Sequence, residues 1–391
     1  MRIAGCLSPT SMPVCGRFKR LIKPMKRIGI DAHMLGDHSG GNETFYTGIL
    51  THMHVPEDVE VFLFVKPLVD TSFLQGKFKI VRFKSKSAFI RNFVELPFLC
   101  LKYKLDLLHT QYFIPFFCPC PLVCTIHDIC FEHFSDIFTK REYLRQKLLI
   151  KFAAKHSEKI ITVSQMSKKD IADKYGIDEN KIIVVYNAPK ESFKKLNISE
   201  DALFELKRRF EIKKRFVLSV GNLQPRKNLV RLIKSFVSLR RQEFEFDYQL
   251  VIVGKKAWMF DDVIKEAVAN NGDVVFTDYV TEADLVKLYN AADSFVYPSI
   301  FEGFGLPPIE AMSCGIPVAV SNQSALPEVV GNAGVYFDPY DERDIAQKIL
   351  QLTKDRPLRQ DLIEKSNMQI KKFSWNLSAK KVVELYEDML R

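Results

Sequence analysis

Glu302 and Glu310 lie eight residues apart in Phe301-Glu302-Gly303-Phe304-Gly305-Leu306-Pro307-Pro308-Ile309-Glu310. The first falls in a glycine-containing loop after a strand, the second about one turn into the helix that the two prolines suit. A carboxylate accepts two hydrogen bonds from vicinal hydroxyls, so the pair could address different parts of one sugar-bearing ligand. The glycines permit close backbone approach, and the free amides of a first helical turn suit an anion such as a diphosphate. A helix-capping Glu302 and a solvated Glu310 would fit the same spacing. Arg226 and Lys227 are adjacent cations in Gly221-Asn222-Leu223-Gln224-Pro225-Arg226-Lys227-Asn228. They open a helix, where the macrodipole disfavours positive charge, so something negative is expected beside them. The alternative is two solvated side chains on a surface turn.

The first half offers two further candidates. Gly40 and Gly41 close the loop after the first strand and allow backbone contact with a phosphate. His127 and Asp128 leave the carboxyl end of an apolar strand, where ligands of open parallel sheets sit, although a satisfied core histidine would look alike.

These positions need a scaffold, and the periodicity supplies one twice. Short apolar runs alternate with helix-like segments, the signature of βα units on parallel sheets. In the first half, 27–30, 59–65, 80–83, 107–109, 122–126, 160–163 and 182–185 read as strands, and 41–54, 90–103, 140–157 and 167–175 as helices. The pattern restarts with strands at 216–220, 249–253, 274–276, 294–297, 317–320 and 334–337, and helices at 227–241, 282–292, 305–314 and 341–354. The Lys- and Glu-rich stretch 188–214 reads as a linker plus a first helix, and 375–391 as an amphipathic helix able to cap either half. The expected division is a basic leader over 1–26, one Rossmann-like domain over 27–190, a second over 191–374, and a final helix over 375–391 that crosses back.

With 391 residues and 47% hydrophobic content, the chain can fill two cores. The net charge of +10 is a local matter: 1–190 hold 28 Lys and Arg against 18 Asp and Glu, and 191–391 balance at 29 against 29. Seven of the basic residues lie in 1–27, which has no acidic residue. The excess therefore reads as a leader and not as a nucleic-acid surface. No run is long enough to span a membrane, so a cytoplasmic protein is expected. Phe113-Ile114-Pro115-Phe116-Phe117 and the basic segment 140–159 could meet a lipid surface at the inner membrane face, although burial would explain those phenylalanines as well. Eight cysteines are too sparse for a disulfide framework and read as reduced. Cys118 and Cys120 form a C-x-C flanked by prolines, with no second Cys or His pair at zinc spacing, so no metal ligands are assigned.

Taken together, these residues resemble the retaining glycosyltransferase family 4 of the GT-B fold, an α/β architecture of two Rossmann-like domains whose parallel sheets face a central cleft. The resemblance runs from about Arg27 to the C-terminus. It is carried by Glu302 to Met312, by Gly315-Ile316-Pro317-Val318 and Leu326-Pro327-Glu328-Val329-Val330-Gly331, by Pro225-Arg226-Lys227 and Thr125-Ile126-His127-Asp128, and by Ile161–Ser164 and Val184–Asn187. It implies that Arg226 and Lys227 bind the donor diphosphate, Glu310 the ribose and Glu302 the transferred sugar. The backbone of Gly303, Phe304, Gly305 and Leu306 would touch sugar and phosphate, and His127 would lie beside the sugar. Val280 would meet the base through its backbone, and Gly40 and Gly41 would close over the diphosphate. The resemblance further implies a nucleotide-sugar donor, GDP-mannose or a UDP-sugar, as substrate with no separate cofactor or metal, and a glycan or lipid-linked glycan as acceptor. Two departures are Asn222, where the family often has a basic residue, and Ala188, where a glycine often follows the asparagine. A sugar-nucleotide epimerase on the same architecture and a non-catalytic nucleotide-binding scaffold are the competing readings.

Overall fold

The computed structural model describes residues 25–37, 40–74, 76–221, 224–254 and 272–391. The leader up to residue 24, with Cys6 and Cys15, and Asn222 lie outside them. Seven strands make the first sheet: β1 (Lys26–Asp31), β2 (Val59–Val65), β3 (Lys79–Arg82), β4 (Leu107–Gln111), β5 (Leu122–Thr125), β6 (Lys159–Thr162) and β7 (Ile182–Val184). Six make the second: β8 (Arg215–Val220), β9 (Tyr248–Val253), β10 (Val274–Phe276), β11 (Ser294–Tyr297), β12 (Val318–Ser321) and β13 (Gly334–Phe337). The ladders between these strands are all parallel.

Both faces of each sheet are covered, and the alternation of side chains shows why. In β2, Val61, Leu63 and Val65 enter one core while Phe62 and Phe64 enter the core on the opposite face. In β8, Phe216 and Leu218 divide from Val217 in the same way. A strand buried on both faces reads as a continuous apolar run, which is how these elements were visible.

The strand orders are β3-β2-β1-β4-β5-β6-β7 and β10-β9-β8-β11-β12-β13. In each sheet the order reverses beside the first strand, between β1 and β4 and between β8 and β11. Connections leaving those strands depart to opposite faces, and a crevice opens at their carboxyl ends. The candidate residues follow β1, β5, β8 and β11, apart from Val280, which follows β10.

Two local differences from the sequence reading have physical causes. The expected helix over 90–103 is broken into Ala88–Ile90, a π turn at Arg91–Glu95 and Leu96–Tyr103. Pro97 has no N–H to offer the carbonyl four residues back, and the Leu96 amide bonds five residues back to Arg91. A further helix, Arg356–Gln369, starts from Asp355, whose side chain accepts from the Leu358 amide; its sparse apolar residues hid it from a periodicity search.

The last helix, Trp375–Leu390, packs against helix Gly41–His52 on the first sheet, and Trp375, Ala379, Val382, Leu385 and Tyr386 join that sheet's core. Gly48 makes this possible, since a Cβ there would lie 2.2 Å from the Trp375 ring.

Candidate active site

A cleft of about 470 Å³ opens between the carboxyl ends of the two sheets. Eleven of the twelve candidate residues line it: Gly40, Gly41 and His127 from the first half, and Arg226, Lys227, Glu302, Gly303, Phe304, Gly305, Leu306 and Glu310 from the second. Val280 does not. It is buried in the second sheet's core, in the loop before helix Glu282–Ala291.

Glu302 is neither a helix cap nor solvated. Its Oε1 lies 2.6 Å from Lys227 Nζ and 3.2 Å from Arg226, and it accepts from Ser299 Oγ at 2.5 Å and Tyr297 Oη at 3.0 Å. Burial alone would raise this carboxyl, but Lys227 and Arg226 outweigh it and hold the group at about 2. Burial pushes Lys227 below the usual lysine range, against the pull of Glu302. The cations are thus withdrawn from water and face one carboxylate, in place of the solvated pair that a surface turn would give.

The turn carrying them is the short 3₁₀ helix Pro225–Lys227, ended by Asn228 at φ 57°. The Asn228 side-chain amide donates to Pro298 O at 3.2 Å and Pro339 O at 2.7 Å, and Arg226 donates to Phe301 O at 3.0 Å. These bonds seat the cationic turn on the loop that bears Glu302.

Helix Leu306–Ser313 starts from Gly305 at φ 100°, a conformation that excludes most side chains. Pro307 and Pro308 occupy its first turn and contribute no donors, so the amides from Gly303 to Leu306 are the backbone donors at that end. Glu310 is partly buried one turn on. Burial pushes its carboxyl up to about 7, opposed by the Tyr289 hydroxyl 3.1 Å away.

On the opposite wall, His127 is buried with its Nε2 2.8 Å from Gln111 Nε2, and burial lowers it to about 3, so the ring is neutral. It is both a satisfied core histidine and a cleft residue. Gly40 caps helix Gly41–His52 at φ 71° and ψ −128°, a region reserved for glycine, although nothing would obstruct a Cβ there.

The two halves touch at this loop. Gly303 O accepts from Ser164 Oγ at 2.6 Å and Ser167 Oγ at 3.1 Å, and a Cβ on Gly303 would meet Asp128 Oδ2 at 2.8 Å. The Glu328 carboxylate accepts from the amides of Gln165 and Met166, at 2.8 and 3.1 Å, at the start of helix Gln165–Tyr175, and from Tyr186 Oη at 3.0 Å. Phe304 and Ile309 enter the first sheet's core.

Comparison with known proteins accords with this architecture. The model of glycosyl transferases group 1 matches residues 203–369, and that of glycosyltransferase family 4 matches 40–189. The O-antigen chain mannosyltransferase B of Escherichia coli is 33% identical over 276 residues, 68% of this chain and 70% of that protein. The chain belongs to glycosyltransferase family 4. It is accordingly a retaining hexosyltransferase of the GT-B fold. The E. coli serotype-specific mannosyltransferase WbdA is 29% identical over 70% of this chain, which spans 34% of WbdA's length. The crystal structure of Anabaena Alr3699/HepE in complex with UDP-glucose superposes with a TM-score of 0.69 at 19% identity, over 93% of this chain and 100% of that one.

Several residues that line the cleft or support its side chains in this glycosyltransferase were not singled out in its sequence. Tyr297 and Ser299 hold Glu302, Gln111 holds His127, and Asn187 lines the cleft with its buried Oδ1 unpartnered among the described residues. Asn187 had a signal, since it ends one of the family-like stretches. Gln111 had none, because its importance comes from the β4–β5 pairing. Outside the cleft, Phe116 and Phe117 are 60% and 65% exposed, whereas Ile114 is buried. Phe89, Phe98, Leu144 and Leu148 are exposed too, as are Lys140, Arg141, Arg145, Lys151 and Lys155 of helix Lys140–His156. No helix among the described residues is long and apolar enough to cross a membrane. At the C-x-C, the fold brings Cys100 up to Cys118 and Cys120, a third thiol that spacing alone did not supply.

Proposed function

We propose that this glycosyltransferase moves a hexose, with mannose the leading candidate, from a nucleoside-diphosphate sugar to a glycan or lipid-linked glycan, with no metal ion taking part in the cleft. The observation that carries the reading is the meeting of Arg226, Lys227 and Glu302 in a cleft between two sheets. The mannosyl donor rests on the likeness to two E. coli mannosyltransferases.

Cleaving the bond from anomeric carbon to phosphate leaves positive charge on the sugar and negative charge on the departing diphosphate. Arg226 and Lys227 stabilise the diphosphate charge from fixed positions, and the amides from Gly303 to Leu306 add to it. Gly40 and Gly41 close over the diphosphate from the other half. Glu302, held ionised, accepts from hydroxyls of the transferred sugar, and Glu310 accepts from the ribose diol. Neutral His127 borders the sugar without adding charge to a site where cationic character develops. The departing phosphate takes the acceptor's proton on the face it leaves, which accounts for retention with no carboxylate nucleophile.

The exposed aromatic patch beside helix Lys140–His156 combines apolar side chains with five exposed cations. That composition suits a lipid-linked acceptor at an anionic membrane surface, reached by peripheral contact.

The test is to screen GDP-mannose and a panel of UDP-sugars by mass-detected hydrolysis and transfer, alongside Arg226→Ala and Glu310→Ala. Loss of Arg226 should cost about 10²–10³ in kcat. Full activity in both variants would overturn the site assignment. A divalent ion bound in the cleft and required for turnover would overturn the metal-free reading. Donor isomerised without acceptor would identify an epimerase, and donor bound but never turned over a scaffold.

A further inference from the structure

Three thiols, one from a helix and two from a C-x-C, meet at one end of the first sheet. Cys100 sits in the last turn of helix Leu96–Tyr103, and Cys118 and Cys120 lie in the loop from β4 to β5. Their Sγ atoms all lie within 4.8 Å of one another, and Cys118 and Cys120 are 3.7 Å apart. Cys100 and Cys120 are buried, while Cys118 is partly open to solvent. A disulfide needs about 2.05 Å between sulfurs. The 3.7 Å separation instead matches the edge of a thiolate tetrahedron around zinc, which is about 3.8 Å for Zn–S bonds of about 2.3 Å.

The surroundings suit such a use. The β4–β5 loop is tied to β4 at both ends, by Phe113 N to Gln111 O at 2.6 Å and by Leu108 N to Pro121 O at 3.0 Å, so its cysteines are presented on a short closed segment. Cys100 and Cys120 belong to the same buried core as Ile114 and Leu122, and Cys118 packs against that core partly open to solvent. Thiolates are soft ligands that select d10 cations over hard ones.

We propose that Cys100, Cys118 and Cys120 form a three-thiolate site for a thiophilic d10 cation, Zn²⁺ in the first instance, with a water or small exogenous donor on the open side. Binding replaces one proton on each thiol, so one Zn²⁺ displaces three protons and leaves a site of net charge −1; nothing is oxidised or reduced. The bound ion would staple the loop bearing Phe116 and Phe117 to the helical segment bearing Phe89 and Phe98, and so set the shape of the exposed aromatic patch. The inference stands on the thiol geometry and is independent of which sugar is transferred.

The experiment titrates the full chain, purified under reductant and freed of metal by chelator, with Zn²⁺ against a chromophoric chelator and with Co²⁺ as a spectroscopic probe. One equivalent is expected, with thiolate-to-cobalt charge-transfer bands, tetrahedral d–d bands and proton release. Cys118→Ser should weaken binding by more than the roughly 10- to 100-fold that loss of an outer partner costs. Cys314→Ser, in the other sheet's core, should bind as the wild type does. Chelator should lower the melting temperature of the wild type and leave that of Cys118→Ser unchanged. Equal affinity in wild type and Cys118→Ser, absence of cobalt charge-transfer bands, or an intact mass 2 Da low from a bond between two of these cysteines would each overturn the proposal. Because Cys118 is partly exposed, its variant remains informative if Cys100→Ser does not fold.

Discussion

Replacing Glu302 by Gln keeps the shape of the side chain and removes the charge that two partly buried cations face. The carboxyl is held at about 2 against an ordinary value of 4.5. At 1.36 kcal/mol per pH unit of displacement, that difference is about 3 kcal/mol of folding stability at neutral pH. It agrees with the 3–5 kcal/mol typical of breaking a buried ion pair from one side. The sign follows from the direction: a depressed carboxyl contributes fully above its unfolded value near 4.5 and loses the contribution as pH falls towards 2. Unfolding entropy of about 2.1 cal/mol/K per residue over 391 residues makes the expected drop in Tm about 4 °C. An anion in the cleft should replace the lost counter-charge, and a ligand at 100 times its Kd restores about 2.7 kcal/mol. Thermal melts at pH 7 and low ionic strength, with and without inorganic diphosphate, test this. The variant should melt lower and gain more from diphosphate than the wild type does. A variant that melts with the wild type, or equal gains in both proteins, would refute the view of Glu302 as counter-ion to Arg226 and Lys227.

Glu310, raised to about 7 by burial, should accept ribose hydroxyls fully only when ionised, so the donor KM should rise as pH falls below 7. Glu310→Gln should lose that acid limb in a pH profile, and an unchanged limb would assign it to another group. Gly303→Ala places a methyl 2.8 Å from Asp128 Oδ2 and should destabilise the closed arrangement by about 1–3 kcal/mol, seen as a larger radius of gyration in solution scattering. Glu328→Ala, which frees two amides of the opposing helix, should shift scattering in the same direction, and compact profiles for both variants would count against this contact as the clasp.

Much of this protein was legible in one dimension. Strands buried on both faces leave continuous apolar runs, and a parallel sheet needs a crossover after each, so two sets of βα units could be read in order. Local chemistry was equally visible: the glycines and prolines around Glu302 and Glu310, and the adjacent Arg226 and Lys227, mark a loop and a helix start wherever the chain goes next. Tertiary structure alone decided the partners. Glu302 became a counter-ion to Lys227 because β8 and β11 are neighbours, joining residues 75 positions apart. The same holds for Glu328 at the helix of the other half, for Trp375 against Gly48, and for Cys100 beside Cys118 and Cys120. Hydrophobic period records which face of an element is buried and carries no record of which distant element covers it. Strand order and the packing of whole layers settle that, and here they turned separate charges and thiols into sites.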